Sequence, residues 1–199
     1  MSANHAAFNL IFRFVENYVS PIAGRISSQR HVMAIRDGFI SAMPFMIVGS
    51  FLLVFAYPPF SPDTTWGFAR AWLDMAKQFE GQILTPFDMT MGVMSLYICA
   101  AIAYNLGKHY VKTHQLDPFM CAMLSLMAFL LVAAPKTKGA LPVDSLGGTG
   151  IFTAILVAIY CVEMMRFLKA HNIGIRLPDQ VPPMIKNSFD LLIPVLVVV

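Results

Sequence analysis

Four stretches of this chain run for roughly the thickness of a bilayer without one Asp, Glu, Lys or Arg, and no other feature restricts its fold as severely. Residues 38–57 supply 20 such positions, 89–106 supply 18, 118–134 supply 17 and 145–162 supply 18. Crossing about 30 Å of hydrocarbon takes roughly 20 helical residues. Each stretch reaches that length once flanking polar side chains snorkel toward water. Most helices of a large soluble protein carry a charged face, and these four have none. Composition agrees, because only 13% of the 199 residues are charged and 57% are hydrophobic, whereas a soluble domain is about one quarter charged. The expected fold is therefore an all-α polytopic membrane protein with four full transmembrane helices. A fifth apolar run follows Asp190 and reaches Val199 after nine residues. That predicts a truncated fifth helix and a chain that is a portion of something longer, since an unfinished membrane helix strands carbonyls with no partner.

Charge gives the expected orientation. With the N-terminus in the cytoplasm, Arg13, Arg25, Arg30, Arg36, Lys108, Lys112, Arg166, Lys169, Arg176 and Lys186 lie inside. Only Arg70, Lys77, Lys136 and Lys138 lie outside, which is the positive-inside bias. The first residues lack the basic n-region of a secretory signal. Instead Phe8, Ile11, Phe12, Val15 and Val19 recur at helical spacing opposite Asn9, Arg13, Glu16 and Asn17, so an N-terminal interfacial amphipathic helix is expected. The chain thus divides into a cytoplasmic segment, 1–35, and a membrane region, 36–199. Its spans are placed at about 38–57, 89–106, 118–134, 145–168 and, incomplete, 188–199.

Few residues carry a chemical signal. A net charge of +3 is too small and scattered for a nucleic-acid partner. Cys99, Cys121 and Cys161 fall one in each of three apolar runs, without C-x-x-C spacing, and read as small packing residues. His109, His114 and Asp117 flank a short basic hairpin that an anionic membrane surface explains without a metal. No catalytic residue, metal or cofactor is expected. Glu163 and Arg166 are three apart and pair along one helix face. Asp37, Asp88, Asp117 and Asp190 each precede an apolar run, where a carboxylate suits the positive end of a helix.

The connections offer two candidate sites. Between the first and second runs, residues 58–88 carry Trp66, Phe68, Trp72 and Phe79 and are expected at the outer interface. Ahead of the fourth run, Gly147, Gly148 and Gly150 permit close backbone approach, so this helix start can face substrate hydroxyls or serve as a plain turn. After the fourth run, Pro178, Pro182 and Pro183 forbid a regular helix. The resulting strap either presents Arg176, Asp179 and Gln180 to a partner or sets the angle between spans.

Several segments together carry a resemblance: RHVMAIRDGFISAMP at 30–44, LTPFD at 84–88, ILVAI at 155–159 followed by Glu163, and RLPDQVPP at 176–183 with Ser188 and Phe189. In this combination the chain resembles, from about residue 8 to Val199, the lactose, cellobiose and diacetylchitobiose family of phosphotransferase-system IIC permeases. The resemblance implies a bacterial cytoplasmic membrane protein of ten spans. Its first five would form a scaffold and homodimer interface, and its last five the site for a disaccharide. It also implies phosphorylation of the sugar by a separate cytoplasmic IIB component, whose own cysteine bears the phosphate, and docking of IIB on the side of Arg176, Asp179 and Gln180. The sugar-gripping histidine and glutamate of such permeases belong to the second half. The rival reading is a small complete four-span regulatory or assembly protein.

Overall fold

A computed structural model describes residue 13 and residues 15–133, 143–174, 182, 185 and 189–198. A single π-helical turn, Val15–Val19, leads into α1, Ser20–Ser27. Then come α2, Arg30–Ala56, α3, Gly67–Thr90, α4, Met94–His114, and α5, Pro118–Ala133. Two 3-10 turns, Val143–Ser145 and Gly148–Gly150, precede α6, Ile151–Ala170, and α7 covers Leu192–Val198. Most of the expected amphipathic helix, including Phe8, Ile11 and Phe12, lies outside the described residues. Within the N-terminal segment, α1 buries none of its residues.

The centre of the bundle is α4, which packs against α2, α5 and α6. Its buried residues are Ser95, Ile98, Cys99, Ile102, Ala103, Leu106, Gly107 and Tyr110, a single helical face repeating every three or four positions. The neighbouring helices offer it small side chains. On α2 these are Ala34, Gly38 and Ala42, and on α6 Ala154, Ala158 and Cys161. A β-carbon at Gly38 would stand 2.9 Å from the Ile102 nitrogen, and one at Gly107 would stand 3.0 Å from the Pro118 α-carbon. Backbones this close gain dispersion contacts that lipid cannot supply, which is how helices associate in a membrane. Cys99, Cys121 and Cys161 are free thiols, fully buried in this core. Many other large apolar side chains point outward: Phe51, Val132, Phe152 and Tyr160 are all more than half exposed. Small residues at the helix contacts and large ones on the outer faces suit a hydrocarbon solvent.

Several boundaries differ from expectation. Residues 58–88 are largely helix, because α3 begins at Gly67 and lies along α2, burying Ala69 and Ala76. It bends at Phe79, whose backbone leaves the helical region (φ −111°, ψ 15°). The aromatics form a cluster around its start. Trp72 donates its indole N–H to the Phe55 carbonyl at 3.2 Å, and Phe60, Trp66 and Phe68 pack edge-on or tilted about it. Met89, expected to open the second span, lies instead in the last turn of α3, which ends at Thr90. A turn at residues 91–93 separates the two helices, and Gly67–His114 together form one long apolar stretch. Arg30–Ala56, Gly67–His114 and Gly148–Ala170 are long and apolar enough to cross a membrane, while Pro118–Ala133 is shorter at 16 residues. The fourth span becomes α-helical only at Ile151, after the two 3-10 turns.

The placement of the aspartates also needs correction. Asp117 does cap α5, accepting the Phe119 and Met120 amides at 2.8 and 3.3 Å. Asp37, however, lies two turns inside α2 and pairs with Arg36 at 2.8 Å, and Asp88 lies at the closing end of α3. Helix continues beyond the apolar run into its polar flank, so the first residue of the run is not the first residue of the helix.

Candidate functional site at the basic end of the bundle

The helices bring their ionisable residues together at one end. On α6, Glu163 follows an apolar face by one turn and pairs with Arg166 at 2.7 Å, as their i, i+3 spacing predicts. The other oxygen of Glu163 is shared by two residues remote in sequence. His31, at the start of α2, meets it through Nε2 at 2.9 Å, and Tyr110, on α4, donates its hydroxyl to it. The Tyr110 side chain is fully buried, and both the Arg30 and Arg166 guanidinium carbons lie 5.2 Å from its ring centroid. A single carboxylate thus receives donors from three helices, and a single aromatic ring lies beside two cations. Hydrogen bonds to an ionised acceptor are about twice as strong as neutral ones, and the aromatic contacts add the attraction of a ring quadrupole for cations.

A second link lies beside it. Lys169 donates to the Gln115 carbonyl at 2.8 Å and pairs with Asp190 at 3.0 Å. Gln115 ends α4 in the left-handed conformation (φ 52°), which turns the chain into Asp117 and α5. Lys169 therefore joins the end of α6 to the α4–α5 hairpin and to the residue just ahead of α7. Together the two links tie the ends of the bundle to one another. Among the described residues, no group of three or more His, Cys, Asp or Glu is placed to hold a metal ion.

The glycines expected near a substrate lie at the opposite end. Gly150 is buried, and a β-carbon there would meet Ser95 Oγ at 3.0 Å and the Phe129 ring at 3.2 Å. Gly147 stands against the Gly92 carbonyl, and both the amide and the hydroxyl of Ser95 donate to the Leu146 carbonyl. This turn is sewn to the start of α4, with Gly148 exposed beside it. The strap residues Arg176, Asp179 and Gln180 lie outside the described residues. Of the basic-end network, sequence spacing reveals only Glu163 and Arg166. His31 is 132 residues from Glu163 and Tyr110 is 53 away, and neither has a local pattern that announces a partner.

Residues 36–199 match the family described as "Phosphotransferase system, EIIC". The chain is 37% identical over 206 residues to the "PTS system cellobiose-specific EIIC component" of Geobacillus stearothermophilus, covering 94% of this chain and 43% of that protein. It is 34% identical to the "Lichenan permease IIC component" of Bacillus subtilis (strain 168), over 94% of this chain and 42% of that one. Its fold is similar to the crystal structure of the transporter ChbC, the IIC component from the N,N'-diacetylchitobiose-specific phosphotransferase system. The TM-score is 0.77 at 35% identity, covering 94% of this chain and 44% of ChbC. The chain thus spans less than half the length of these curated relatives. On the match over residues 36–199 and a shared fold along nearly its whole length, this chain belongs to the EIIC family of the phosphotransferase system.

Proposed function

We propose that this chain is the scaffold and dimerisation portion of a IIC sugar permease that carries a β-linked disaccharide such as cellobiose, lactose or diacetylchitobiose. The observation that carries the reading is the combined match in sequence and fold: 35–37% identity to cellobiose- and diacetylchitobiose-specific IIC components over 94% of the chain. A freestanding four-span regulator gains no support from that match. In this reading the N-terminus and the basic end face the cytoplasm, as the positive-inside bias favours. The intact permease binds its sugar outside and releases a phosphosugar inside, with phosphate supplied by a separate IIB component. Arg176, Asp179 and Gln180 help to position IIB. Gly147, Gly148 and Gly150 stand at the outer end, where exposed Gly148 leaves room beside the backbone for a sugar hydroxyl.

The test is uptake and phosphorylation of radiolabelled disaccharides in membranes carrying this chain alone, and then with the remaining part of a related permease plus IIB. Phosphosugar formed only on coexpression supports the scaffold reading. Uptake by the chain alone overturns it, and inactivity of the complete set with every β-linked disaccharide overturns the substrate class.

A further inference from the structure

A groove of about 370 Å³ lies between α2, α4 and α5 and is lined by none of the residues of the basic-end network, within the roughly 300–1,000 Å³ of small-molecule sites. The small side chains of Ala42, Ala101 and Ala122 leave the space open, and Phe45, Tyr97 and Tyr104 border it. Phe45 and Tyr97 stack at 4.5 Å at one end. At the other end stands Lys108, exposed, with its ammonium 4.6 Å from the Tyr104 ring centroid. Among the described residues the ion pairs engage His31, Arg36, Arg166 and Lys169, and Lys108 takes part in none of them.

The length and polarity of this groove identify its occupant. Tyr97 and Lys108 are eleven residues apart on α4, about 16 Å along the axis. That is close to half of a ~30 Å hydrocarbon core, so the groove is as long as one leaflet is deep. Its cation lies at the end where the basic residues of α2, α4 and α6 gather, and its apolar stretch runs from there along α4 toward Tyr97. Asn105 lines the groove one turn before Lys108 and commits one amide hydrogen to the Ala101 carbonyl, leaving the second for another acceptor.

We propose that this groove holds an anionic phospholipid, with its phosphate at Lys108 and Asn105 and one acyl chain running along Ala101 toward the Phe45–Tyr97 pair. The lipid fills a seam that the small residues of α2, α4 and α5 leave unfilled, and so stabilises the contact between these helices. The proposal rests on the bundle lying in a membrane and not on sugar transport.

The experiment titrates the purified, delipidated chain with phosphatidylglycerol and with phosphatidylethanolamine of the same acyl chains, counting bound lipid by native mass spectrometry. Phosphatidylglycerol is expected to bind preferentially. Lys108→Gln should weaken it about five-fold, the effect of one lysine at an anionic surface, and Lys108→Arg should restore it. Ala101→Phe, which fills the groove, should weaken both lipids; if circular dichroism shows that it fails to fold, Ala101→Leu carries the same test. An equal loss in Lys112→Gln would reduce the effect to general surface charge and overturn the proposal. So would displacement of phosphatidylglycerol by soluble glycerol phosphate, unchanged binding in the groove-filling variant, or a lipid-free dimer as the species that protects the groove.

Discussion

Glu163 shows how much depends on one side chain at the basic end. Its two oxygens serve His31, Tyr110 and Arg166, so removing it leaves three donors from three helices without their acceptor. Glu163→Ala is expected to lower stability by about 2 kcal/mol, a range typical of hydrogen bonds to charged groups at a site still open to water. Glu163→Gln should cost less, because an amide oxygen still accepts one bond. Thermal unfolding in detergent, followed by circular dichroism, measures both, and equal stability of all three proteins would refute the linking role. The local half of this cluster was readable from the spacing of Glu163 and Arg166. Its remote half was not, because His31 and Tyr110 reach the carboxylate only after α2 and α4 have packed.

At the scale of the element, the glycines separate sharply. Gly38 sits where α2 touches α4, and any side chain there meets the backbone of Ile102. Gly38→Leu should force the helices apart and cost about 1–3 kcal/mol, as overpacking does. Gly24, within α1, has nothing within 4 Å of where a β-carbon would stand. Gly24→Ala should leave stability unchanged or raise it by up to about 1 kcal/mol, through helix propensity. The pair makes an internally controlled comparison by thermal unfolding: a Gly38→Leu protein as stable as Gly24→Ala would mean that α2 and α4 do not depend on close approach. Apolar run lengths disclosed where α2, α4, α5 and α6 lie and gave α5 to within a residue, but misplaced ends of the other three. Hydropathy marks the part of a helix that meets lipid, whereas hydrogen bonding carries the helix onward, through Asp37 in α2 and through residues 107–114 in α4.

For the whole molecule, the arrangement of charge predicts a sidedness that can be read directly. Thr64 lies near the aromatic cluster at one end, and Thr113 lies at the basic end beside His114. In intact bacteria, Thr64→Cys should react with a membrane-impermeant maleimide, and Thr113→Cys should react only after the cells are opened. The native Cys99, Cys121 and Cys161, fully buried, provide a quiet background. The reverse pattern would invert the orientation favoured by the distribution of Lys and Arg. A separate test concerns how the ends are joined: a double-mutant cycle of Lys169→Met and Asp190→Asn should show a coupling of about 0.5–1 kcal/mol for this partly exposed pair. No coupling would mean that α7 is held by apolar contacts alone.

The sequence by itself determined the solvent of this protein and the helical character of its four charge-free runs. Charge-free runs of 17 to 20 residues leave helices in lipid as the physical outcome, and buried thiols spaced one per run read as packing. The combination of short segments also sufficed to identify the family. Only the tertiary structure decided that residues 67–90 form a helix along α2, that Gly147 and Gly150 are spent on packing against α4, and that Glu163 gathers residues up to 132 positions distant. The reason is range: hydropathy and local spacing report what each residue demands of its surroundings. Which residue on another helix meets that demand is settled by how closely the small-residue faces of α2, α4 and α6 approach.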